Sequence, residues 1–238
     1  MAPFKLIVSC EHGGNTVPAA YRQVFSGRSD ILASHRGYDI GALQLAKALA
    51  PLADFSQFCT VTRLLVELNR SAHHPKLFSE FTHGLPQESK QTIISQYYLP
   101  YRKTLAQQIA QYVNAKQRVI HISVHSFTPV LDGKTRNADI GFLYDPARAA
   151  EAEFAAIWRQ NLRNVTGLRI RNNYPYQGKS DGLTTYLRKQ FNELDYIGIE
   201  LETNQALWQH SSASQKALRK LLHDTLRQAT LDLIDYQK

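Results

Sequence analysis

Six stretches of the chain are apolar over four to eight residues and rich in β-branched and aromatic side chains. They are 4–10 (FKLIVSC), 58–65 (FCTVTRLL), 118–124 (RVIHISV), 139–144 (DIGFLY), 167–171 (GLRIR) and 196–201 (YIGIEL), and each predicts a short strand. Several are apolar almost throughout, the pattern of central strands covered on both faces. Between them the apolar positions recur at helical spacing, predicting helices over 39–50, roughly 87–116, roughly 147–163, roughly 181–193 and 212–236. Pro100 should kink or divide the long pattern at 87–116. Strands alternating with helices predict an α/β protein: three layers, α/β/α, around a mixed, mostly parallel sheet.

The chain of 238 residues is long enough for one substantial core, and no internal repeat, low-complexity tract or Gly/Ser-rich linker divides it, so a single domain over 1–238 is expected. The loop-like stretches 71–86 and 126–138 read as loops over a site. No run approaches the roughly 20 apolar residues of a membrane helix. The start, Met1-Ala2-Pro3-Phe4-Lys5, has no secretory pattern, so a cytoplasmic location is expected. In that setting Cys10 and Cys59 read as buried thiols rather than a disulfide. The net charge of +8 suits nucleic acid, an anionic surface or a small anionic substrate. The basic residues are dispersed, and Lys216, Arg219, Lys220 and Arg227 fall on a helix whose polar face needs only water, so nucleic acid is the weaker expectation.

The polar residues that interrupt the apolar runs sit at strand ends, where functional residues of open α/β sheets gather. Ser9-Cys10-Glu11-His12-Gly13-Gly14-Asn15 follows the first strand, and its glycines would let the backbone turn closely around a group bound at His12. Alone, His12 reads equally as a histidine in a tight turn. His121, Ser123 and His125 share a face of the third strand; His125, nearest the strand end, is the preferred ligand, with His121 packing or hydrogen-bonding beneath it. Asp39 opens the helix 39–50, where it would ordinarily cap it. Two histidines and a carboxylate also make a familiar catalytic zinc set, so His12, Asp39 and His125 could hold one zinc ion.

Glu200 lies inside an apolar strand, where a carboxylate is costly unless paired or functional. Burial would raise its pKa toward the range of a general base, and Glu202, on the same face, competes for the role. Arg63, Asn69 and Arg70 could form a planar fork for a carboxylate and a positive charge for an oxyanion. Lys134 and Arg136 add positive charge on a site loop. Cys10 and His12, two residues apart at a strand end, are poorly placed for a cysteine hydrolase.

The clusters SCEHGGN, GYDIGA, ELNRS, SVHSFTP with DGKTRNADIGFLYD, NYPYQG and GIELETNQ occur in the order and approximate spacing of the N-formylglutamate amidohydrolase family, from near residue 6 to near residue 207. That family resembles the zinc exopeptidases and zinc amidases in fold. The resemblance implies one zinc and the hydrolysis of N-formyl-L-glutamate to formate and L-glutamate, a step of histidine degradation. It implies His12, Asp39 and His125 as zinc ligands, Glu200 as the glutamate that activates water, and Arg63 as the oxyanion-stabilising arginine. Asn69 and Arg70 would hold the substrate's α-carboxylate, leaving Arg136 or Lys134 for a side-chain carboxylate. Where the family is expected to carry an arginine and an acidic residue after the glutamate, this chain has Glu202 and Asn204. The alternatives are a zinc amidase or carboxypeptidase-like enzyme on another N-acyl amino acid or peptide, and a non-catalytic basic domain that binds anions or nucleic acid.

Overall fold

The structure, a computed structural model, describes residues 4–236. Its strands are β1 (Phe4–Cys10), β2 (Phe55–Phe58), β3 (Arg118–Phe127), β4 (Val130–Leu131), β5 (Lys134–Thr135), β6 (Ile140–Leu143), β7 (Ile170–Asn172) and β8 (Tyr196–Asn204). Its α-helices are α1 (Ser29–Leu32), α2 (Ala42–Leu49), α3 (Gln87–Ile93), α4 (Leu99–Asn114), α5 (Ala149–Val165), α6 (Leu183–Arg188) and α7 (Ser212–Tyr236). Six strands form one sheet in the order β2-β1-β3-β8-β6-β7, while β4 and β5 make a separate hairpin. Within the six-stranded sheet only the β6–β8 pairing is antiparallel, so that sheet is mixed and mostly parallel, as the alternation of elements predicted.

Alternation along the two central strands separates two cores. Ile120, Ile122 and Val124 of β3 and Ile197, Ile199 and Leu201 of β8 face α2, α5 and α7, where they meet Leu45, Leu49, Phe154, Trp158, Leu222 and Leu226. The opposite face begins as core, with Ile7, Val119 and Tyr196 against Leu105 and Ile109 of α4 and Leu183 and Leu187 of α6. Towards the carboxyl ends of the strands the same face turns polar. Its rows continue as Ser9, as His121, Ser123 and His125, and as Glu200 and Glu202, all buried.

The departures from prediction lie outside these central strands. The strand expected at 58–65 is displaced: β2 pairs Phe55–Phe58 with Ile7–Cys10, after which Val61 makes an isolated bridge to Thr16 and 63–65 form a turn. Leu64 and Leu65 are apolar because they fill the second core from a turn, so an apolar run there reports burial and not extension. The strand at 167–171 is reduced to β7 and the helix at 181–193 to α6. The pattern at 87–116 is divided as expected, by a π-helical turn at Ile94–Tyr98, and Pro100 sits in the first turn of α4, where its missing N–H costs least. Asp39 caps nothing: α2 starts at Ala42 after Gly41, with no side-chain cap.

Candidate active site

His12 follows β1 directly, held by backbone bonds from Gly13 N to Cys59 O (2.9 Å) and from Asp39 N to His12 O (2.9 Å). The glycines do not wrap a bound group. A Cβ on Gly13 would lie 2.9 Å from Cys59 O and one on Gly14 2.7 Å from Thr60 O, so they let the loop rest on the backbone beside it. That contact brings Asp39 under His12, and β3 delivers His125 from the neighbouring strand. One ligand atom from each of His12, Asp39 and His125 lies within 4.8 Å of the others, and all three residues are buried.

The ring nitrogens are sorted by their partners. Asp39 Oδ2 lies 3.2 Å from His12 Nδ1 and 2.9 Å from His125 Nδ1, so Nδ1 of each ring faces the centre. The outer nitrogen of His12 is held by Glu67 Oε1, and that of His125 lies 3.0 Å from Glu11 Oε2. Arg63 closes the ring of charges, donating from Nη1 to Asp39 Oδ1 (3.0 Å) and from Nε to Glu67 Oε2 (2.8 Å). Burial alone would raise these carboxyl groups. The histidines and Arg63 outweigh it and hold Asp39 and Glu67 well below the usual carboxylate range. Two imidazole nitrogens and one carboxylate oxygen, buried around a common point, fit a divalent zinc ion with an open fourth position.

A pocket of about 190 Å³ opens beside this cluster and is lined also by Asn69, Arg70, Tyr176, Asp181, Glu200 and Glu202. Asn69 Oδ1 accepts from Leu183 N (2.6 Å), and Arg70 Nη1 donates to the carbonyls of Asn69 (3.1 Å) and Asp181 (2.5 Å). Glu200 lines the pocket but is engaged, accepting from Thr184 Oγ1 at 2.5 Å. Glu202 differs from it. It pairs with His125 across the β3–β8 ladder, it is 4% exposed, and its Oε2 is buried without a hydrogen-bond partner. Burial pushes its carboxyl up to about 8, with Asp39 and Glu200 reinforcing the shift and His125 and Arg63 opposing it.

Two expected residues stand outside. Lys134 is exposed in the β4–β5 hairpin, and the Arg136 guanidinium lies 4.8 Å over the ring of Tyr176, a residue that itself lines the pocket. Neither lines the pocket. Nor does any residue of 71–86, whose Leu77 belongs to the second core. The outer wall comes instead from Tyr176, Gln177, Ser180 and Asp181, ahead of α6. Cys10 is fully buried on the apolar face of β1 and its thiol is pushed well up by burial, so the cysteine-nucleophile alternative has no support. Both cysteines are free. His121 lies beneath the cluster, its Nε2 2.8 Å from Ser9 Oγ, as expected. Glu67 and Glu11, within ELNRS and SCEHGGN, hold the outer nitrogens of the two histidines although no pattern in the sequence marks them. A carboxylate two residues before an asparagine, or just before a histidine, carries no periodic signal.

Fold and centre together define a three-layer α/β protein whose polar site lies at the carboxyl ends of parallel strands, where open sheets place ligand sites. The model of the N-formylglutamate amidohydrolase family matches residues 4–208. The chain belongs to that family, and so to the amide hydrolases. A gene product of Agrobacterium tumefaciens of known structure is similar over 97% of this chain and 92% of its own, with 25% identity and a TM-score of 0.82. An N-formylglutamate amidohydrolase from Ralstonia eutropha is similar over 96% of this chain and 94% of its own, with 16% identity and a TM-score of 0.72, a likeness of fold. No curated protein matches the chain. Among the described residues no helix is long and apolar enough to cross a membrane.

Proposed function

We propose that the protein is a zinc-dependent amidohydrolase that removes the acyl group from a small N-acyl amino acid, with N-formyl-L-glutamate as the first candidate. The observation that carries this reading is the unpartnered Glu202 Oε2, buried beside the His12, Asp39 and His125 cluster in a pocket of amino-acid size. A buried carboxylate oxygen without a partner is costly to keep, and a proton-transfer role accounts for it.

His12, Asp39 and His125 would hold the zinc ion, which would supply a Lewis acid for the scissile carbonyl, activate water near neutral pH and favour the ionised form of a neighbouring carboxylate. Glu202 Oε2 takes the proton of the attacking water and returns it to the leaving amine nitrogen. Glu200, tied to Thr184, shapes the pocket and is the weaker candidate for the base. Arg70, fixed by two backbone carbonyls, presents its guanidinium to the substrate's α-carboxylate. Arg63 is engaged through its nitrogens by Asp39 and Glu67 and primarily positions those carboxylates, while still bordering the pocket where the oxyanion would develop. A nucleic-acid role has no comparable support, since the site is a pocket among carboxylates.

The pocket offers no free lysine, and its arginines are Arg63 and Arg70, so a side-chain carboxylate must rely on Arg70 or on Arg136 turning from Tyr176. The test is amine release from N-formyl, N-acetyl and N-succinyl derivatives of glutamate, glutamine and alanine by zinc-loaded protein. Fastest turnover of N-formylglutamate is expected, with metal and activity lost together in His12→Ala and His125→Ala. Release of no amine from any member, or zinc retained in both variants, removes the proposal.

A further inference from the structure

One carboxylate of the cluster has no part in the chemistry above. Glu11 is 1% exposed and lies on the far side of His125 from the pocket. Its Oε1 accepts from Ser9 Oγ (2.6 Å) and from the Tyr101 hydroxyl (3.0 Å). Its Oε2 accepts from Ser123 Oγ (2.6 Å) and lies 3.0 Å from His125 Nε2, which also lies 2.9 Å from Ser123 Oγ. Behind Ser9 the donors run in one direction: the Tyr196 hydroxyl is 2.8 Å from His121 Nδ1, and His121 Nε2 is 2.8 Å from Ser9 Oγ. Side chains from β1, β3, β8 and α4 therefore all end on one acceptor.

Three hydroxyl donors on two oxygens, with the His125 Nε2 edge beside them, require a group with acceptor sites and no proton of its own to give, which an ionised carboxylate is and an amide is not. A glutamine here would point its NH₂ at two donors whichever way the amide lay. We infer that Glu11 is a positioning residue: anchored by Ser9, Ser123 and Tyr101, it holds the His125 ring at Nε2, directly and through Ser123, so that Nδ1 faces Asp39 and the centre. The inference rests on the proposed reading of His125 as a metal ligand, and on the geometry of the ring alone for its spectroscopic part. Partners of this kind fix the ring orientation of ligating histidines, and their loss typically weakens metal binding by about 10- to 100-fold.

The experiment compares the full chain with Glu11→Gln and Tyr101→Phe. Zinc affinity is read by competition with a fluorescent chelator, and the His125 Nε2–H by NMR of ¹⁵N-histidine-labelled, metal-free protein. In Glu11→Gln, with an unchanged circular dichroism spectrum, zinc is expected to bind about 10- to 100-fold more weakly. The slowly exchanging His125 Nε2–H should disappear, a signal that a general loss of packing would not single out. Tyr101→Phe, which removes one anchor of Glu11 without touching His125, should shift both readouts in the same direction and less, and it decides the matter if Glu11→Gln does not fold. Parental zinc affinity and a parental His125 Nε2–H in the folded variants overturn the inference. If the parent itself binds no zinc, the metal reading fails, and the NMR signal alone still decides whether Glu11 holds the ring.

Discussion

Glu200 and Glu202 are two residues apart on one face of β8, and a sequence pattern cannot tell them apart. Depth in the apolar run favours Glu200, but what matters is which oxygen is left without a partner. Thr184 engages one oxygen of Glu200, while Glu202 Oε2 is buried with no partner and its residue sits beside His125 in the ladder. Glu202→Gln is therefore expected to keep bound zinc and lose turnover by about 100-fold or more, the scale of general acid and base catalysis. Glu200→Gln should lose less than about tenfold, because the amide can still accept from Thr184. Steady-state kinetics on both variants decides the assignment; the reverse order returns the role to Glu200. The same contrast explains Arg63. The family resemblance implied an oxyanion role, yet the charges that meet Arg63 are Glu67, four residues on, and Asp39, brought in from the segment before α2.

At the level of elements, the approach of the loop after β1 to the start of α2 depends on backbone conformation more than on apolar pattern. Gly41, just before α2, has φ of 86°, and a Cβ there would lie 2.0 Å from Trp208 Cδ2. Gly41→Ala combines left-handed strain with a clash against a buried ring, together about 2–5 kcal/mol. A melting temperature at least roughly 5 °C below the parent's is expected at this chain length. Gly27 is the matched control, with φ of 69° and nothing within 4 Å of its Cβ. Gly27→Ala should show the strain alone, roughly 1–2 kcal/mol, by the same thermal scan. Equal effects at the two sites would mean that the Trp208 packing does not position the Asp39 segment.

For the molecule as a whole, the buried polar face makes stability depend on pH. Burial pushes the imidazole of His121 down to about 4 from an ordinary value near 6.5, because the charged form loses its water and finds no compensating anion in direct contact. A folded pKa below the unfolded one means that the unfolded chain binds the extra proton between pH 6.5 and 4. Stability from the neutral ring is fully present above 6.5 and is lost as pH falls toward 4, by ~3 kcal/mol in total. Urea unfolding from pH 7 to pH 4.5 is expected to show this loss in the parent. His121→Gln, less stable at pH 7 through its altered hydrogen bonds, should show a flatter dependence. A slope unchanged by the substitution would assign the acid sensitivity to other groups.

The linear order of residues was sufficient for the three-layer plan, the two central strands, α7 and the grouping of His12, Asp39, His125, Asn69 and Arg70 at one site. Period-two burial on β3 and β8 and helical spacing elsewhere are local properties, written in consecutive residues. Quoted motifs at strand ends likewise carried the family resemblance. What tertiary structure decided is each choice between chemically equal neighbours: which of Glu200 and Glu202 meets Thr184, Nδ1 over Nε2 in both rings, Asp39 turned to the cluster and not to a helix end, Lys134 outside the pocket, and Glu11 and Glu67 behind the histidines. Those choices depend on atoms brought within about 3 Å of each other from segments far apart in the chain, since hydrogen bonds act only at that range.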